Sequence, residues 1–367
     1  MKLLGCGDIM LGEHPIMVGW GISREFAVGR ELYPFAHVHE LLAGADLVFG
    51  NLESALSPLP RGRSLSAREC IGPAQGAELL RIAGFHALSV ANNHIQQHGP
   101  KSLRMTLDLL GRAGLLAVGE AAEGGRRCRP VDLEIGGLPL RLLAYSLRPR
   151  QFFSEQPLYA EPDEESLLVD VRAGRDAGRT VVCSLHWGDE FVARPSPSQI
   201  QLGRRLIEAG ATLVLGHHPH VLQGGEHWGD GYIAYSLGNF VFDMIWEERL
   251  RRTACLQALL APQRVVEVDW IPIWIGDDFA PRIGRGAEQR KILHFLEDAA
   301  VRLRDQREGF ENSGETESYL IEVRKELLRH RYASHRHFLR NLRRYELRIM
   351  AEIAGRAVLR RLGFLRD

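Results

Sequence analysis

Short apolar runs alternate with amphipathic segments over the first 220 residues. The runs have the length and composition of buried β-strands, and they lie at residues 2–6, 45–49, 87–90, 181–185 and 212–215. Helical patterns separate them at residues 35–42, 73–83, 101–113 and 198–209, with Ser196 or Ser198 as the cap of the last helix. This alternation predicts parallel strands joined by crossover helices, and therefore an α/β fold.

The pattern changes after residue 130. Residues 131–145 form two alternating stretches around Gly136-Gly137, which is typical of a β-hairpin. We expect the strands predicted at 232–236, 241–242, 254–260 and 265–275 to close a second sheet that faces the first. Residues 13–34 are irregular and rich in glycine, so we expect a loop with an exposed Trp20.

A break at residues 276–285 precedes a helical C-terminal part. We predict one domain over residues 1–280 and a helical, basic region over 286–367, with a polar linker at 308–318. Residues 331–367 hold ten arginines against three acidic residues, and apolar residues share the same helical stretch. Either the apolar stripe packs on the body with the arginines in solvent, or the helix contacts a membrane surface or an anionic partner.

Bulk composition narrows the function classes only slightly. Lys plus Arg equals Asp plus Glu at 46 each, so charge gives no indication of nucleic-acid binding. Five widely spaced cysteines favour free thiols in a reducing compartment. Leu3-Leu4-Gly5-Cys6 matches a lipoprotein processing site, but too few residues precede it for a signal peptide. With no apolar run of about 18 residues, we expect a cytoplasmic protein without a transmembrane segment, either free or peripheral at the membrane.

Polar side chains cluster where the predicted strands end. They are Asp8, Asn51, Glu53, Asn93, His94, His186, Glu190, His217, His218 and His220. In sheets flanked by helices, ligands bind at the ends of the strands. Carboxylates, amides and imidazoles together suit Mn, Fe or Zn better than Mg or Ca. The sequence therefore predicts a metal centre.

The spacing of these residues suggests individual roles. His218 and His220 are two apart, so in an extended segment both imidazoles point to the same side, and Pro219 stiffens the segment. His217 is either a further ligand or a hydrogen-bonding neighbour of the ligands. Asn93 and His94 are consecutive and diverge, so that one can bind metal while the other faces substrate.

Six segments together resemble the bacterial capsule-synthesis CapA family (poly-gamma-glutamate capsule biosynthesis), which is similar to the calcineurin-like metallophosphoesterases. They are Gly7-Asp8-Ile9-Met10-Leu11-Gly12, Asn51-Leu52-Glu53, Ala91-Asn92-Asn93-His94, His186-Trp187-Gly188-Asp189-Glu190, residues 216–224 and residues 235–243. The resemblance covers about residues 1–275, in the expected order, and does not extend to residues 286–367.

The resemblance implies a four-layer α/β/β/α sandwich with a helical appendage and a centre that binds two divalent ions at the strand ends. Asp8 and His220 would hold one ion, whereas Asn93, His186 and His218 would hold the other. Glu53 would bridge the ions, and His94 would be the general acid. Asn51, Glu190 and Asn239 would support the ligands or bind substrate.

Three positions depart from the pattern of these families. Met10 stands where metallophosphoesterases usually have a histidine, and Asn51-x-Glu53 replaces the usual bridging aspartate, so one ion would be weakly held. Gln97 stands where the capsule family usually has an aspartate three residues after the histidine corresponding to His94.

Two functions remain open at this point. One is metal-dependent hydrolysis of a phosphoester or of an anionic polymer precursor. The other is a non-catalytic factor that binds an anionic polymer and docks a polymer-synthesis complex through its C-terminal helices. A nucleotide-binding ligase has little support, since the chain has neither the Rossmann glycine spacing nor a phosphate-binding loop.

Overall fold

The computed structural model describes residues 1–26, 33–58, 62, 64–122, 124–148, 152, 156–305 and 313–361. The sequence also predicts polar loops at 61–67 and 148–165 and a helical run that ends at residue 362. These loops and the linker predicted at 308–318 lie partly outside the described residues, and residue 362 lies outside them.

The strands are β1 (Lys2–Ile9), β2 (Leu47–Leu52), β3 (Ala55–Ser57), β4 (Ile71–Pro73), β5 (Ala87–Ser89), β6 (Leu116–Val118), β7 (Val131–Ile135), β8 (Leu138–Ser146), β9 (Thr180–His186), β10 (Ala211–His217), β11 (Leu222–Trp228), β12 (Gly231–Leu237), β13 (Asn239–Val241), β14 (Arg252–Ala261), β15 (Arg264–Ile275) and β16 (Pro281–Ile283). The helices are α1 (Ile22–Phe26), α2 (His39–Ala43), α3 (Gly76–Ala83), α4 (Pro100–Arg112), α5 (Glu164–Asp176), α6 (Pro197–Ala209), α7 (Glu248–Arg251), α8 (Gly286–Asp305), α9 (Ser313–Arg340) and α10 (Leu347–Arg361).

Two large sheets organise these strands. The first has the order β16-β15-β14-β1-β2-β5-β6, with β13 also paired to β1, and the second has the order β11-β12-β10-β9-β8-β7. Strands β1, β2, β5 and β6 are parallel, as predicted from the alternating pattern. The assignment of β13, β14 and β15 to the second sheet was wrong, since β13 pairs with β1 as well. Strand β14 pairs antiparallel with β1 and therefore extends the first sheet.

The sheets face each other and carry helices on their outer sides. On β9, Val182 belongs to the core between the sheets, whereas Cys183 and Leu185 belong to a second core that includes Leu206 of α6. Helices α3 and α4 cross over between the parallel strands of the first sheet. The predicted α/β/β/α order of layers is thereby confirmed. The cap predicted for α6 is also confirmed, since the Ser196 side chain accepts a hydrogen bond from the backbone N–H of Gln199.

The segment after β1 differs from the predicted exposed loop. It includes the short helix α1, and Trp20 is buried, with its ring stacked on His337 of α9. Periodicity near residue 20 cannot reveal a partner more than 300 residues away, which explains the wrong prediction. The helix predicted at 35–42 is also shorter, because only His39–Ala43 is helical.

The C-terminal helices pack on the body. Ile292 and Leu296 of α8 lie in a small core with Leu222 and Ala254. Phe338, Tyr345 and Ile349 are buried in the main core. This burial favours the packing interpretation of the basic tail, while the boundary between residues 1–280 and 286–367 stays a prediction. Among the described residues, no helix is both long enough and apolar enough to cross a membrane.

The five cysteines are buried free thiols. Cys6 lies inside strand β1, with its Sγ 3.7 Å from the Sγ of Cys255 on β14. The segment that matches a lipoprotein processing site is therefore part of a core strand in this structure.

Candidate metal centre

Strand register brings the polar motifs together. On the first sheet, Asp8 of β1 pairs with Asn51 of β2 and with Asn239 of β13. On the second sheet, His186 of β9 pairs with His217 of β10. Because these strands are parallel, their carboxyl ends meet at one edge of each sheet. The two edges face each other across the centre, where His217 Nδ1 lies 3.1 Å from Asp8 Oδ1.

Two glycines allow this close approach of the strands. A Cβ atom on Gly7 would lie 2.0 Å from the carbonyl oxygen of Gly238. A Cβ atom on Gly216 would lie 1.9 Å from the carbonyl oxygen of Tyr235. Each glycine directly precedes a polar residue of the centre, so the backbone contact fixes the start of the polar segment.

The histidine segment is a turn rather than an extended strand. His218 and His220 have positive φ angles of 96° and 60°, which are unfavourable for residues with a side chain. The backbone N–H of His218 donates to Asp8 Oδ2 at 3.2 Å, and the carbonyl of Pro219 accepts from the N–H of Phe191 at 2.8 Å. These contacts hold both imidazoles beside Glu53.

Two groups of side chains have the spacing of metal ligands. One is Glu53, His218 and His220, and the other is Asp8, Glu53 and His186, with the ligand atoms of each group within 4.8 Å of one another. Glu53 belongs to both groups, and its Oε1 lies 3.6 Å from His186 Nε2 and 3.8 Å from His220 Nε2. A carboxylate in this position has the geometry to bridge two cations.

The unpartnered atoms of the centre suit cations. Neither oxygen of Glu53 and neither ring nitrogen of His218 has a hydrogen-bond partner among the described residues, although all four atoms are buried. Such atoms are costly to bury unless they bind something. Carboxylate oxygens and neutral imidazole nitrogens together form a donor set for Mn, Fe or Zn.

The distances do not single out one division of the ligands between two ions. Asp8 groups with His186, yet its Oδ2 also lies 3.5 Å from His220 Nδ1, and the ring of His218 lies 4.7 Å from that of His186 and 5.9 Å from that of His220. Asn93 does lie with His186, because its Oδ1 is 2.8 Å from His186 Nε2. The assignment of each ligand to one of two ions therefore stays a prediction.

The charges of the centre are consistent with cation binding. Burial raises the pKa of Glu53 well above its usual range, and the charges of Asp8 and Glu190 add to the rise. Burial would raise the pKa of Asp8 too, but the nearby His217, His220 and His186 outweigh it and lower that pKa to about 2. Burial lowers the pKa of His186 and His218 well below the usual value, so both are neutral near pH 7.

Buried amides orient the candidate ligands. Asn51 donates from Nδ2 to Asp8 Oδ1 at 2.8 Å and accepts at Oδ1 from Asn92. Asn239 accepts at Oδ1 from His220 Nδ1 at 3.0 Å, which leaves His220 Nε2 free for a metal. Both amides support the ligands, and a substrate contact by either stays a prediction.

His94 sits at the more open side of the centre. Its side chain is 17% exposed, and its Nε2 lies 4.0 Å from Glu53 Oε1. The side chain of Asn92 accepts from the backbone N–H groups of His94 and Ile95, at 3.2 and 2.9 Å, and so shapes this loop. The arrangement directs Nε2 of His94 towards the centre.

A chain of side chains connects His94 to the C-terminal helix α10. His94 Nδ1 lies 2.8 Å from Gln97 Oε1, and Gln97 Nε2 donates to Glu69 Oε1 at 3.2 Å. Arg356 of α10 donates to the other oxygen of Glu69 at 2.6 Å. Gln97 therefore holds the ring of His94 directly, although the sequence left its role open.

Apolar residues form one wall of the centre. Met10 is buried in a cluster with Phe191, Val221 and Phe242. The rings of Phe191 and Phe242 lie 6.1 and 4.9 Å from the ring of His220. The position where metallophosphoesterases usually have a histidine thus lies in an apolar environment.

The opposite side is polar and less enclosed. Glu190 is half-buried, and its charge acts on Glu53, His94 and His330. Arg148 donates to the carbonyl of Gly188 at 2.6 Å and contacts Asp189 at 3.4 Å. A substrate role for Glu190 stays a prediction.

Several residues of the centre carried too weak a sequence signal to be assigned. Asn92 was seen as part of a motif, but only its hydrogen bonds show that it forms the His94 loop. Glu69 and Arg356 lie far apart in the chain and outside any strand end, so nothing in the sequence links them. His217 contacts Asp8 through Nδ1, as expected of a hydrogen-bonding neighbour, whereas its Nε2 is buried without a partner among the described residues, so a ligand role stays a prediction too.

Comparison with known proteins agrees with the motifs. Residues 2–244 match the family model described as "Bacterial capsule synthesis protein PGA_cap". The chain is 30% identical over 308 residues to the capsule biosynthesis protein CapA of Bacillus anthracis, covering 79% of this chain and 71% of that protein. It is 28% identical over 292 residues to the PGA biosynthesis protein CapA of Bacillus subtilis (strain 168), covering 78% and 75%.

A solved structure of a hypothetical protein from Thermus thermophilus is more distant. It shares 18% identity with a TM-score of 0.46, and the match covers 74% of this chain and 98% of that one. The match to the family model and the identity with the Bacillus anthracis protein, each over most of the chain, are the findings that place the protein. The chain belongs to the bacterial capsule synthesis (PGA_cap) family.

Proposed function

We propose that the protein is a hydrolase that depends on divalent metal ions and acts on a phosphoester or an anionic polymer precursor during synthesis of a capsule-type polymer. The observation that carries this proposal is the shared Glu53, whose buried, unpartnered carboxylate belongs to both ligand groups. The names of the CapA relatives support the link to capsule and PGA synthesis.

In this proposal Asp8, Glu53, Asn93, His186, His218 and His220 hold two ions of Mn, Fe or Zn. Bound divalent ions would supply Lewis acidity that stabilises negative charge developing on the substrate. His94 would donate a proton to the leaving oxygen. Burial lowers the pKa of His94, but its contact with Gln97 opposes that change and favours the proton-carrying form.

The test combines metal analysis with a hydrolysis assay on the full chain. We expect the purified protein to contain divalent metal and to hydrolyse bis(p-nitrophenyl) phosphate in the presence of Mn. His218→Ala combined with His220→Ala should remove the metal and reduce hydrolysis to background. The matched control is His294→Ala with His335→Ala, since both histidines are exposed on the C-terminal helices. Equal metal content in both double variants would contradict the proposal.

A non-catalytic role is the second candidate, and Met10 is the observation that favours it. The apolar wall around Met10 removes one usual ligand position from the centre. In this role the centre binds an anionic polymer, while the C-terminal helices dock a polymer-synthesis complex. A protein that keeps its metal but hydrolyses no phosphoester would favour this candidate.

A further inference from the structure

A basic cleft lies between one face of α9 and the segment 246–252, with a volume of about 520 Å³. It lies beyond the residues that match the family model, and none of its lining residues belongs to the ligand groups of the metal centre. Five arginines but only two acidic residues line it. The cleft therefore carries net positive charge in a chain whose total charge is balanced.

Three arginines form a row along this cleft. Arg329, Arg336 and Arg340 are separated by seven and four residues, so they lie on the same face of α9. At a rise of about 1.5 Å per residue, the row is roughly 16 Å long. A single phosphate or carboxylate is too small to contact the whole row, whereas an extended anionic chain matches its length.

Two of these guanidinium groups are free to bind an anion. Arg329 lies 3.3 Å from Glu247, and the facing Arg252 lies 2.6 Å from Glu288. In the part of the chain that the structure describes, Arg336 and Arg340 have no acidic partner. A guanidinium group can bind a carboxylate with two parallel hydrogen bonds.

Two aromatic side chains form part of the cleft wall. The rings of Trp246 and His337 both line the cleft, with their centres 5.6 Å apart. Trp246 Nε1 and His337 Nε2 are buried without a hydrogen-bond partner among the described residues. Because both nitrogens are closed to solvent, these rings present an apolar surface to a ligand in the cleft.

The shape and the size of the cleft restrict its ligand. A planar lipid surface cannot enter a concave cleft. A cleft of about 520 Å³ is too small to take in a nucleic-acid duplex, whereas a single extended polypeptide strand can lie along it. We propose that the cleft binds an extended acidic polypeptide, whose carboxylates pair with Arg336 and Arg340.

The cleft is connected to the metal centre by a row of rings. Trp246 lies 5.5 Å from His330, His330 stacks on Phe191 at 3.6 Å, and Phe191 lies 6.1 Å from His220. Two rings, those of His330 and Phe191, therefore lie on the path from Trp246 of the cleft to His220 of the centre. Binding itself requires no metal, so this inference goes beyond the proposed function and survives if hydrolysis is not found.

The test measures binding of fluorescein-labelled poly-L-glutamate to the full chain by fluorescence anisotropy at low ionic strength. Arg336→Glu combined with Arg340→Glu should weaken binding by about tenfold, because two attractive contacts become repulsive. The matched control is Arg324→Glu with Lys325→Glu, which places the same charge change on exposed positions of α9. The control should weaken binding by less than about twofold.

Three results would overturn the proposal. One is equal weakening by both double variants, which would mean that only overall charge matters. Another is loss of binding on treatment with EDTA, which would place the polymer at the metal centre. The third is tighter arginine-dependent binding of polyphosphate, an oligonucleotide or anionic vesicles than of poly-L-glutamate. Circular dichroism confirms folding, and Arg336→Gln with Arg340→Gln repeats the test if the charge reversals unfold the chain.

Discussion

The metal centre and the cleft on α9 both collect charged side chains, but they are constructed in opposite ways. In the centre, buried carboxylates, amides and imidazoles from both sheets lie against one another, and amides hold Asp8 and His220 while Glu53 and His218 have no hydrogen-bond partner among the described residues. In the cleft, three guanidinium groups come from one helix, at positions seven and four residues apart, and remain accessible to solvent. A substitution in the centre therefore changes several partners at once, whereas a substitution in the cleft changes one charge and leaves the fold intact.

The largest effect is expected at Glu53, which is common to both ligand groups. Glu53→Gln should lower metal-dependent hydrolysis by about a thousandfold, since the ions would lose their shared charge. The metal-free variant should melt at a higher temperature than the metal-free parent, because a neutral amide replaces a carboxylate that burial destabilises.

Metal analysis and calorimetry of metal-free samples would check both results. The exposed Glu248 of the cleft provides the comparison, and Glu248→Gln should change the melting temperature very little. A lower melting temperature for metal-free Glu53→Gln would show that the buried carboxylate is stabilised by protein contacts rather than prepared for cations.

A second test compares a glycine of the centre with a glycine of the C-terminal helices. Gly216→Ala should destabilise the protein by about 3 kcal/mol or more, because its Cβ would collide with the carbonyl of Tyr235. Gly355 of α10 has nothing within 4 Å of its Cβ position, so Gly355→Ala should instead stabilise by about 0.5–1 kcal/mol. Denaturant unfolding measures both changes in stability, and equal signs would contradict the contrast between the tightly packed centre and the C-terminal helices.

A smaller effect is expected at Gln97, which links the centre to α10. Gln97→Leu should lower kcat of phosphodiester hydrolysis by about tenfold to a hundredfold while metal content stays the same, because His94 loses its orienting partner. Gln97→Glu keeps the acceptor for His94 Nδ1 but replaces the donor to Glu69 by a second carboxylate, so it should recover only part of the rate. Loss of metal in Gln97→Leu would indicate a general disturbance of the centre instead.

The smallest effect concerns His330, where α9 meets the body. Burial lowers its pKa in the folded protein, so the unfolded chain takes up a proton that the folded chain resists. Stability should therefore fall as the pH drops below about 6.5. His330→Phe should keep the stacking on Phe191. Between pH 7 and pH 5, the Tm of this variant should fall by about 2 °C less than the Tm of the parent. An equal fall of Tm with pH in the variant and in the parent would refute the contribution of His330 to the pH dependence of stability.

The layers and most strands follow from sequence patterns, because each buried strand must carry an apolar run. The convergence of Asp8, Glu53, Asn93, His186, His218 and His220 was predictable for the same reason, since parallel strands end at one edge. The membership of β14 in the first sheet was not predictable, because pairing between remote antiparallel strands depends on register rather than on composition.

Contacts across long sequence separations account for the other gaps. Trp20 is loop-like in its local context, yet His337 and Tyr345 cover its ring. The residues next to Gln97 in the sequence do not indicate a special role. In the structure, however, Gln97 connects His94 to Glu69, which in turn binds Arg356. The periodicity of a segment describes which face is apolar, but it does not identify what that face will meet.

The turn that carries His218 and His220 has a consequence for engineering. Each residue adopts a left-handed backbone conformation that glycine would adopt without penalty, and such conformations cost an L-amino acid about 1–3 kcal/mol. Selection for heat resistance alone should therefore favour glycine at both positions. Thermostable variants obtained in this way would have a relaxed turn and no imidazoles, so screening for them must retain metal content as a second criterion.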